Sequence, residues 1–330
     1  MGAASTAIVG DFSVSDLLRE AAERSIALDV TIKSSAPVRT PSMSGMLKAE
    51  EVQPGLLMSG YDVTYLSDGA FAVDIEPSVL CTVLLDGHAD PMTIEGHPPV
   101  SHLPECVEVL GFGTRTSCAR QLTAGHRARA FGITVRPAFL ERFATSIADG
   151  DISFLGAFLE PGFHRTTLPR LASLLEVANQ ILDNPYGGSL ASLYHESHSL
   201  RFLLEVAIAL KDQERLRKRI GQLEYRRACK AREILDGRLV DPPKALDLAR
   251  EVGVNLTTLQ SNFKAAFGTT IFGYVRAQRL KMSRIMIIEH GLRVAEAGLR
   301  VGFSNPAAFT AAYRRHFGHP PTVDQGRRPA

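Results

Sequence analysis

The sequence predicts an α+β chain in which an N-terminal β-barrel is followed by amphipathic helices and then by an all-α domain with two helix-turn-helix motifs. Three observations predict it. Short apolar and alternating runs broken by turn residues fill 55–137, helical periodicity takes over after Pro137, and the last third of the chain repeats itself at an offset of fifty residues. The chain accordingly divides into 1–54, an N-terminal segment that is irregular or partly helical; 55–137, the barrel; 138–221, a helical dimerisation and linker region; and 222–330, the double helix-turn-helix domain.

Bulk properties set the frame. A chain of 330 residues with 45% hydrophobic and 22% charged residues has ordinary globular composition and room for two or three domains. Its most apolar stretches, 80–85 and 202–210, fall far short of the roughly 20 residues that span a bilayer. The N-terminus lacks a basic segment leading into an apolar core, so a cytoplasmic protein with no membrane partner is expected. Cys81, Cys106, Cys118 and Cys229 form no CxxC pair and read as free thiols. The net charge of +2 conceals opposite halves. Residues 1–210 carry 14 Lys+Arg against 24 Asp+Glu, net −10, whereas 211–330 carry 23 against 11, net +12. A compact basic domain suits a polyanion, because neutralising phosphates and releasing their counterions supplies most sequence-independent affinity.

Within 1–54 only 14–28 shows helical periodicity, and Pro37, Pro41 and Gly45 interrupt the residues beyond it. Strand-like runs then occupy 56–66, 71–75, 79–85, 92–94, 107–112 and 131–135. Ser67-Asp68-Gly69, Asp86-Gly87 and Glu95-Gly96 supply tight connections between them, which reads as a small antiparallel barrel or sandwich. Leu168, Leu171, Leu174, Leu175, Ala178, Ile181 and Leu182 share one helical face, in a helix that should stop at Asn184-Pro185. A second helix is expected over 189–211, carrying Leu193, Leu200, Leu203, Leu204 and Ile208. Both helices need a surface to cover, either the barrel or a second subunit. The charged stretch 211–219 reads as a solvated helical connector.

The repeat aligns Leu259, Phe263, Phe267 and Gly268 with Phe309, Tyr313, Phe317 and Gly318. Upstream, Leu248-Ala249 and Gly253 align with Ala297-Gly298 and Gly302, so each copy reads as helix, glycine turn, helix: 243–252 then 257–267, and 293–301 then 305–317. A recognition helix enters a major groove about 12 Å wide with its first turns, so positions there need short or hydrogen-bonding side chains. In the first copy these are Thr257, Thr258, Gln260, Ser261 and Lys264; in the second they are Asn305, Pro306, Ala307, Thr310 and Arg314, with Arg315 in the basic end that meets phosphates. Pro306 suits an early helical position, and Ser304 or Asn305 can cap.

On these residues, together with Lys264, Tyr274-Val275-Arg276, Arg279-Leu280 and Val301-Gly302-Phe303-Ser304, the segment 222–321 resembles the DNA-binding domain of the AraC/XylS family of bacterial transcriptional regulators. Two departures stand out. Gly298 occupies a place where the family has a helical Ala, at a cost of roughly 1 kcal/mol, and Thr322-Val323-Asp324-Gln325 replaces an aromatic-Arg ending. The resemblance implies a linker helix over 272–286 that sets two subdomains on successive major-groove faces. Arg276, Arg279 and Lys281 on it become phosphate contacts or intradomain ion pairs. It also implies a cupin-like, effector-sensing barrel, a homodimer, promoter DNA and RNA polymerase as partners, and output as an activator. The stretch Ala178-Asn179-Gln180-Ile181-Leu182, Asn184-Pro185-Tyr186-Gly187-Gly188 and Leu193-Tyr194-His195-Glu196 is similar to the siderophore-responsive branch, which implies a ferric siderophore as effector and control of iron or siderophore uptake genes.

The rival reading is a metal-dependent cupin-type enzyme fused to a DNA-binding anchor. His88, His97, His102 and His126 lie in or beside the strands, yet no His-x-His pair with a following Glu appears, and each reads as a core or surface histidine. In Tyr194-His195-Glu196-Ser197-His198 the histidines stand three apart where HExxH needs four. Phosphate loop, GxGxxG and GxSxG are absent, and Gly111-Phe112-Gly113 is only a fragment. No catalytic residue, metal ligand or cofactor is assigned, and the chain is expected not to be an enzyme.

Overall fold

The computed structural model describes residues 5–13, 16, 33–34, 42–102, 104–144, 153–168, 170–288 and 290–325. The chain forms two compact units, 1–211 and 212–330, the division falling inside one long helix.

In the first unit, seven antiparallel strands pair in the order β1 (Ser5–Phe12), β3 (Met43–Gln53), β4 (Leu56–Tyr65), β11 (Arg127–Val135), β6 (Ser78–Gly87), β9 (Val107–Phe112) and β12 (Phe163–Thr167). Five more pair in the order β2 (Lys33–Ser34), β5 (Gly69–Ile75), β10 (Thr116–Leu122), β7 (Met92–Ile94) and β8 (His97–Val100). Side chains of both sheets meet in shared cores, one of Met92, Ile94, Val100 and Cys118 with Leu110 and Phe112, another of Leu122 with Phe12, Met43, Val63 and Tyr65. Of the two arrangements open to the sequence this is the sandwich, with no strand pairing between the sheets among the described residues.

The sheet begins earlier than its alternation suggests. The segment 1–54 contributes β1 and the eleven-residue β3, because Glu50 and Glu51 break the apolar pattern of a strand that is nonetheless interior to its sheet. Glu50 is buried and bonded from His195 Nδ1 at 2.7 Å, a partner 145 residues away that no local pattern reveals. Of the helix expected over 14–28, almost all lies outside the described residues.

On its other face the large sheet is covered by helices. Val79, Cys81, Val83, Val107, Val109, Phe131, Ile133 and Val135 share one core with α3 (Ala172–Leu182) and α4 (Gly188–Ile220). Two short helices, α1 (Pro137–Ala144) and α2 (Ser153–Gly156), precede β12. Leu168 is fully buried but sits between β12 and α3, outside the helix its periodicity suggests. Helix α4 has two apolar faces: Phe202, Leu203, Val206 and Leu210 pack on the sheet, while Leu190, Leu193, Leu204 and Ile208 stay exposed. The choice between barrel and second subunit as the covered surface is thus settled for the inner face alone.

The second unit is all helical: α5 (Gln222–Gly237), α6 (Ala245–Glu251), α7 (Leu256–Phe267), α8 (Ile271–Ile288), α9 (Val294–Arg300), α10 (Pro306–Phe317) and α11 (Pro321–Gln325). Two cores divide it. Leu235, Leu248, Ala249, Leu259, Phe263 and Tyr274 fill the first, and Leu280, Ile287, Ala297, Phe309 and Tyr313 the second, with α8 supplying residues to both. No helix among the described residues is long and apolar enough to cross a membrane.

Candidate nucleic-acid interface

Each glycine turn sets its second helix off at an angle. Gly253 and Gly302 have φ of +75° and +85°, a region that strains any side chain-bearing residue. At Gly302 a Cβ would also lie 2.8 Å from the Arg279 guanidinium. Both second helices start on asparagine. Asn255 Oδ1 accepts from the Thr258 amide at 2.8 Å, and Asn305 Oδ1 accepts from those of Ala307 at 2.8 Å and Ala308 at 3.2 Å. Pro306 occupies the first helical turn, and Gly268 and Gly318 end the two helices in left-handed conformation.

The faces fall as the spacing requires. On α7, Leu259, Phe263 and Ala266 are buried, leaving Thr257, Gln260, Ser261 and Lys264 at the surface and Thr258 half-buried. On α10, Phe309, Ala312 and Tyr313 are buried and Asn305, Pro306, Ala307, Thr310, Arg314 and Arg315 exposed. An open concavity of about 800 Å³ runs along this face, lined by Pro306, Ala307, Thr310, Ala311, Arg314, Arg315 and Gly318. The Thr310 hydroxyl donates back to the Pro306 carbonyl at 3.0 Å, so it presents a methyl group and oxygen lone pairs outward. Arg276 of α8 is exposed and shares a small cleft of about 150 Å³ with Arg315. Lys264, Arg276, Arg314 and Arg315 form no ion pair with any described residue, which leaves four cations for an external anion.

Two linker cations have other work. Arg279 donates from Nε to the Leu239 carbonyl at 2.9 Å, from Nη2 to that of Val240 at 2.7 Å and from Nη1 to that of Gly302 at 3.1 Å. It therefore ties the loop after α5 to the turn of the second copy through carbonyl hydrogen bonds. Lys281 is buried. Asp324 has a role that sequence reasoning misses. Fully buried in the last helix, it accepts from Tyr313 Oη at 2.6 Å and from Arg284 Nε at 3.1 Å, anchoring α10 and α8 to α11. A Tyr four residues after an apolar helix position, with an acid beyond the next turn, is the only sequence signal that could point to it.

The stretch Asn184 to Glu196 also resolves into ties. Asn184 Nδ2 lies 3.0 Å from His195 Nε2, His195 Nδ1 meets Glu50, and Glu196 accepts from Gln53 Nε2 at 2.8 Å. These groups fasten the α3–α4 junction to β3.

Known proteins share both halves of this arrangement. The family profile described as Regulatory protein PchR N-terminal domain matches residues 44–223, more than half the chain, and the one described as Helix-turn-helix domain matches 248–327. The chain belongs to the AraC family, in the branch with a PchR-type N-terminal domain. Within that family it is similar to the Regulatory protein PchR of Pseudomonas aeruginosa, 36% identical over 76 residues, or 23% of this chain and 26% of that protein. It is also similar to the HTH-type transcriptional regulator ExsA of the same species, 24% identical over 103 residues, or 31% of this chain and 37% of ExsA. The matches thus span only 26% and 37% of these relatives. Among solved structures, an AraC-type transcriptional regulator from Chromobacterium violaceum aligns at 27% identity over 31% of this chain and 91% of its own, with a TM-score of 0.30.

Proposed function

We propose that this AraC-family chain is a ligand-responsive, sequence-specific DNA-binding regulator of transcription that acts as an activator. The observation that carries the proposal is the pair of helices α7 and α10. Each buries an apolar stripe in its own core and presents a face of short or hydrogen-bonding side chains ending in cations that form no ion pair among the described residues. Thr257, Thr258, Gln260 and Ser261 read bases from α7, and Ala307, Thr310 and Arg314 read them from α10. Lys264, Arg276 and Arg315 meet phosphates, while Asn305 and Pro306 bring the backbone of α10 close to the groove. Double-stranded promoter DNA and RNA polymerase are the partners.

The sandwich with its helices is the cupin-like sensing half, and the exposed Leu190, Leu193, Leu204 and Ile208 of α4 support a homodimer through that helix. The effector is a ferric siderophore, a reading that rests on the PchR-type N-terminal domain and on the Asn184 to Glu196 stretch. Because Asn184, His195 and Glu196 are internal ties, effector contacts fall to other residues. A ligand shifts such a regulator only by its different affinity for two states.

The test uses the full chain with genomic fragments in a mobility-shift assay. Selective retention over bulk competitor, weakening steeply as salt rises, is the expected result; no selectivity at moderate salt overturns the reading. Calorimetric titration with ferric siderophores, paired with a reporter in iron-poor and iron-rich cells, tests the effector. No binding and a reporter indifferent to iron remove the siderophore and leave the DNA-binding reading standing.

A further inference from the structure

In the sequence His88 and His126 are unrelated histidines, 38 residues apart, but β6 and β11 are neighbouring strands and bring them together. Gly87 makes the approach possible. With φ of +80° it lies so close to Arg127 that a Cβ would sit 2.0 Å from the Arg127 carbonyl oxygen, and the next amide, that of His88, donates to the same oxygen at 2.8 Å. His126 is pinned in turn, its amide donating to the Thr123 carbonyl at 3.2 Å and its carbonyl accepting from Tyr65 at 2.9 Å. The two rings meet edge to face with centroids 4.7 Å apart, and the Asp90 carboxylate lies beside both. Its Oδ1 is 3.6 Å from His88 Nε2 and its Oδ2 is 3.6 Å from His126 Nδ1, and one ligand atom from each residue lies within 4.8 Å of the others.

Those separations suit ion pairing to a charged imidazole and suit a shared metal ion equally. At 3.6 Å neither N···O pair is a hydrogen bond, since the geometry of one requires roughly 2.7–3.2 Å. Ligand atoms about 2.0–2.1 Å from a tetrahedral zinc stand about 3.3 Å from each other, which the two N···O separations of 3.6 Å approach, while the trio as a whole lies within 4.8 Å. The carboxylate is already oriented by a residue outside the trio, as metal-binding carboxylates are: Thr123 donates to Oδ2 from its amide and to Oδ1 from its hydroxyl, each at 3.2 Å. Side-chain exposure of 13% for Asp90 and 17% for His126 makes the interior of the trio partly dry, and 39% for His88 leaves one side open to water or an incoming ligand.

We propose that His88, Asp90 and His126 form an exchangeable site for a divalent first-row transition metal ion at one end of the sandwich. Two imidazoles and one carboxylate suit zinc, iron(II), cobalt(II) or nickel(II), and they disfavour magnesium and calcium, which take oxygen donors. The remaining coordination positions face solvent on the His88 side. The site lies in the first unit and does not depend on the siderophore reading or on the DNA-binding faces.

The experiment uses the untagged full chain, stripped with a chelator and then titrated with cobalt(II) under visible absorption, with zinc(II) added in competition. Saturable d–d bands at one equivalent per chain, displaced by zinc, are expected. His88→Gln, His126→Gln and Asp90→Asn should each weaken binding by more than the about 10–100-fold expected of Thr123→Ala, which touches only the oriented carboxylate. Melting curves in chelator show which variants are folded, and His88→Gln, at the most exposed of the three positions, decides the matter should the others unfold. Absence of saturable binding to the wild-type chain overturns the proposal. So does unchanged affinity in a folded His88→Gln variant, or a thiolate charge-transfer band, which would place the metal on cysteine.

Discussion

The two helix-turn-helix copies are built on one plan and differ at matched positions. Where the first copy packs Ala249 in a core with Leu259, the second sets Gly298 against Phe309, and a Cβ on Gly298 would come 2.9 Å from the Phe309 ring. The glycine is therefore the other half of a size exchange: a larger residue on the recognition helix needs a smaller one on the helix behind it. The outer faces differ as well. Helix α7 offers Gln260 and Lys264, long side chains that reach from a distance, whereas α10 offers Pro306, Ala307 and Ala311, which let the backbone itself approach before Arg314 and Arg315 take over. One shared packing scheme thus carries two different outer faces.

The largest effect expected from breaking this comparison is on stability. Phe309→Ala should cost roughly 3–5 kcal/mol by denaturant unfolding, because it leaves a cavity under α10 that Gly298 cannot fill. An unchanged melting temperature would contradict the placement of the helix faces. Next comes DNA recognition. Gln260→Ala and Arg314→Ala should each weaken a preferred site by about 1–3 kcal/mol while changing random DNA little, whereas Arg315→Ala should weaken all sequences alike and lower the salt slope by about 1. Equal losses on preferred and random DNA for all three would erase the division between base and phosphate contacts.

The size exchange itself yields a sharper test. Gly298→Ala gains about 1 kcal/mol of helix propensity but overpacks the Phe309 ring at a cost of about 1–3 kcal/mol, so a net loss is expected. Adding Phe309→Leu to Gly298→Ala should recover stability relative to Phe309→Leu alone, a coupling that a double-mutant cycle reads directly. Strict additivity would mean that the two positions do not share one volume.

How much of the molecule is legible in its sequence depends on where each residue's partner lies. The glycine turns and the Phe309, Tyr313 and Phe317 stripe are local patterns, and the bounds of the two helix-turn-helix copies agree with them to within a few residues. The first unit is less legible, since its strands are held by distant polar partners. β3 carries Glu50 for His195, β9 carries the buried Glu108 for Thr167 and Arg165, and β10 turns Arg120 toward His102, so none of these strands alternates cleanly. The apolar pattern still shows β9, but not β10, whose Arg120 turns toward His102, nor β12, whose Arg165 and Thr167 meet Glu108. The trio of His88, Asp90 and His126 needs the pairing of β6 with β11, which spacing alone does not give.

That same unit supplies an effect confined to acid pH. Burial, with the charges of Arg120 and Arg165, pushes the His102 imidazole down to about 3 from its ordinary 6.5, so it stays neutral in the folded chain and accepts from Arg120 at 2.9 Å. The unfolded chain binds this proton first. Its contribution to stability is complete above about pH 6.5 and is lost as pH falls toward 3, at up to about 1.4 kcal/mol per pH unit. His102→Asn should flatten the fall in unfolding free energy below pH 6.5 by about that amount. An identical slope in wild type and variant would remove His102 from the account.

The most direct test of two groove-reading helices in one domain is a hydroxyl-radical footprint of the full chain on a fragment it selects. Two protected patches on one face of the duplex, about 10–10.5 base pairs apart within each binding unit, are expected. Gln260→Ala and Arg314→Ala should each thin a different patch. A single patch, or uniform thinning of both by either substitution, would contradict the claim that α7 and α10 each enter a major groove.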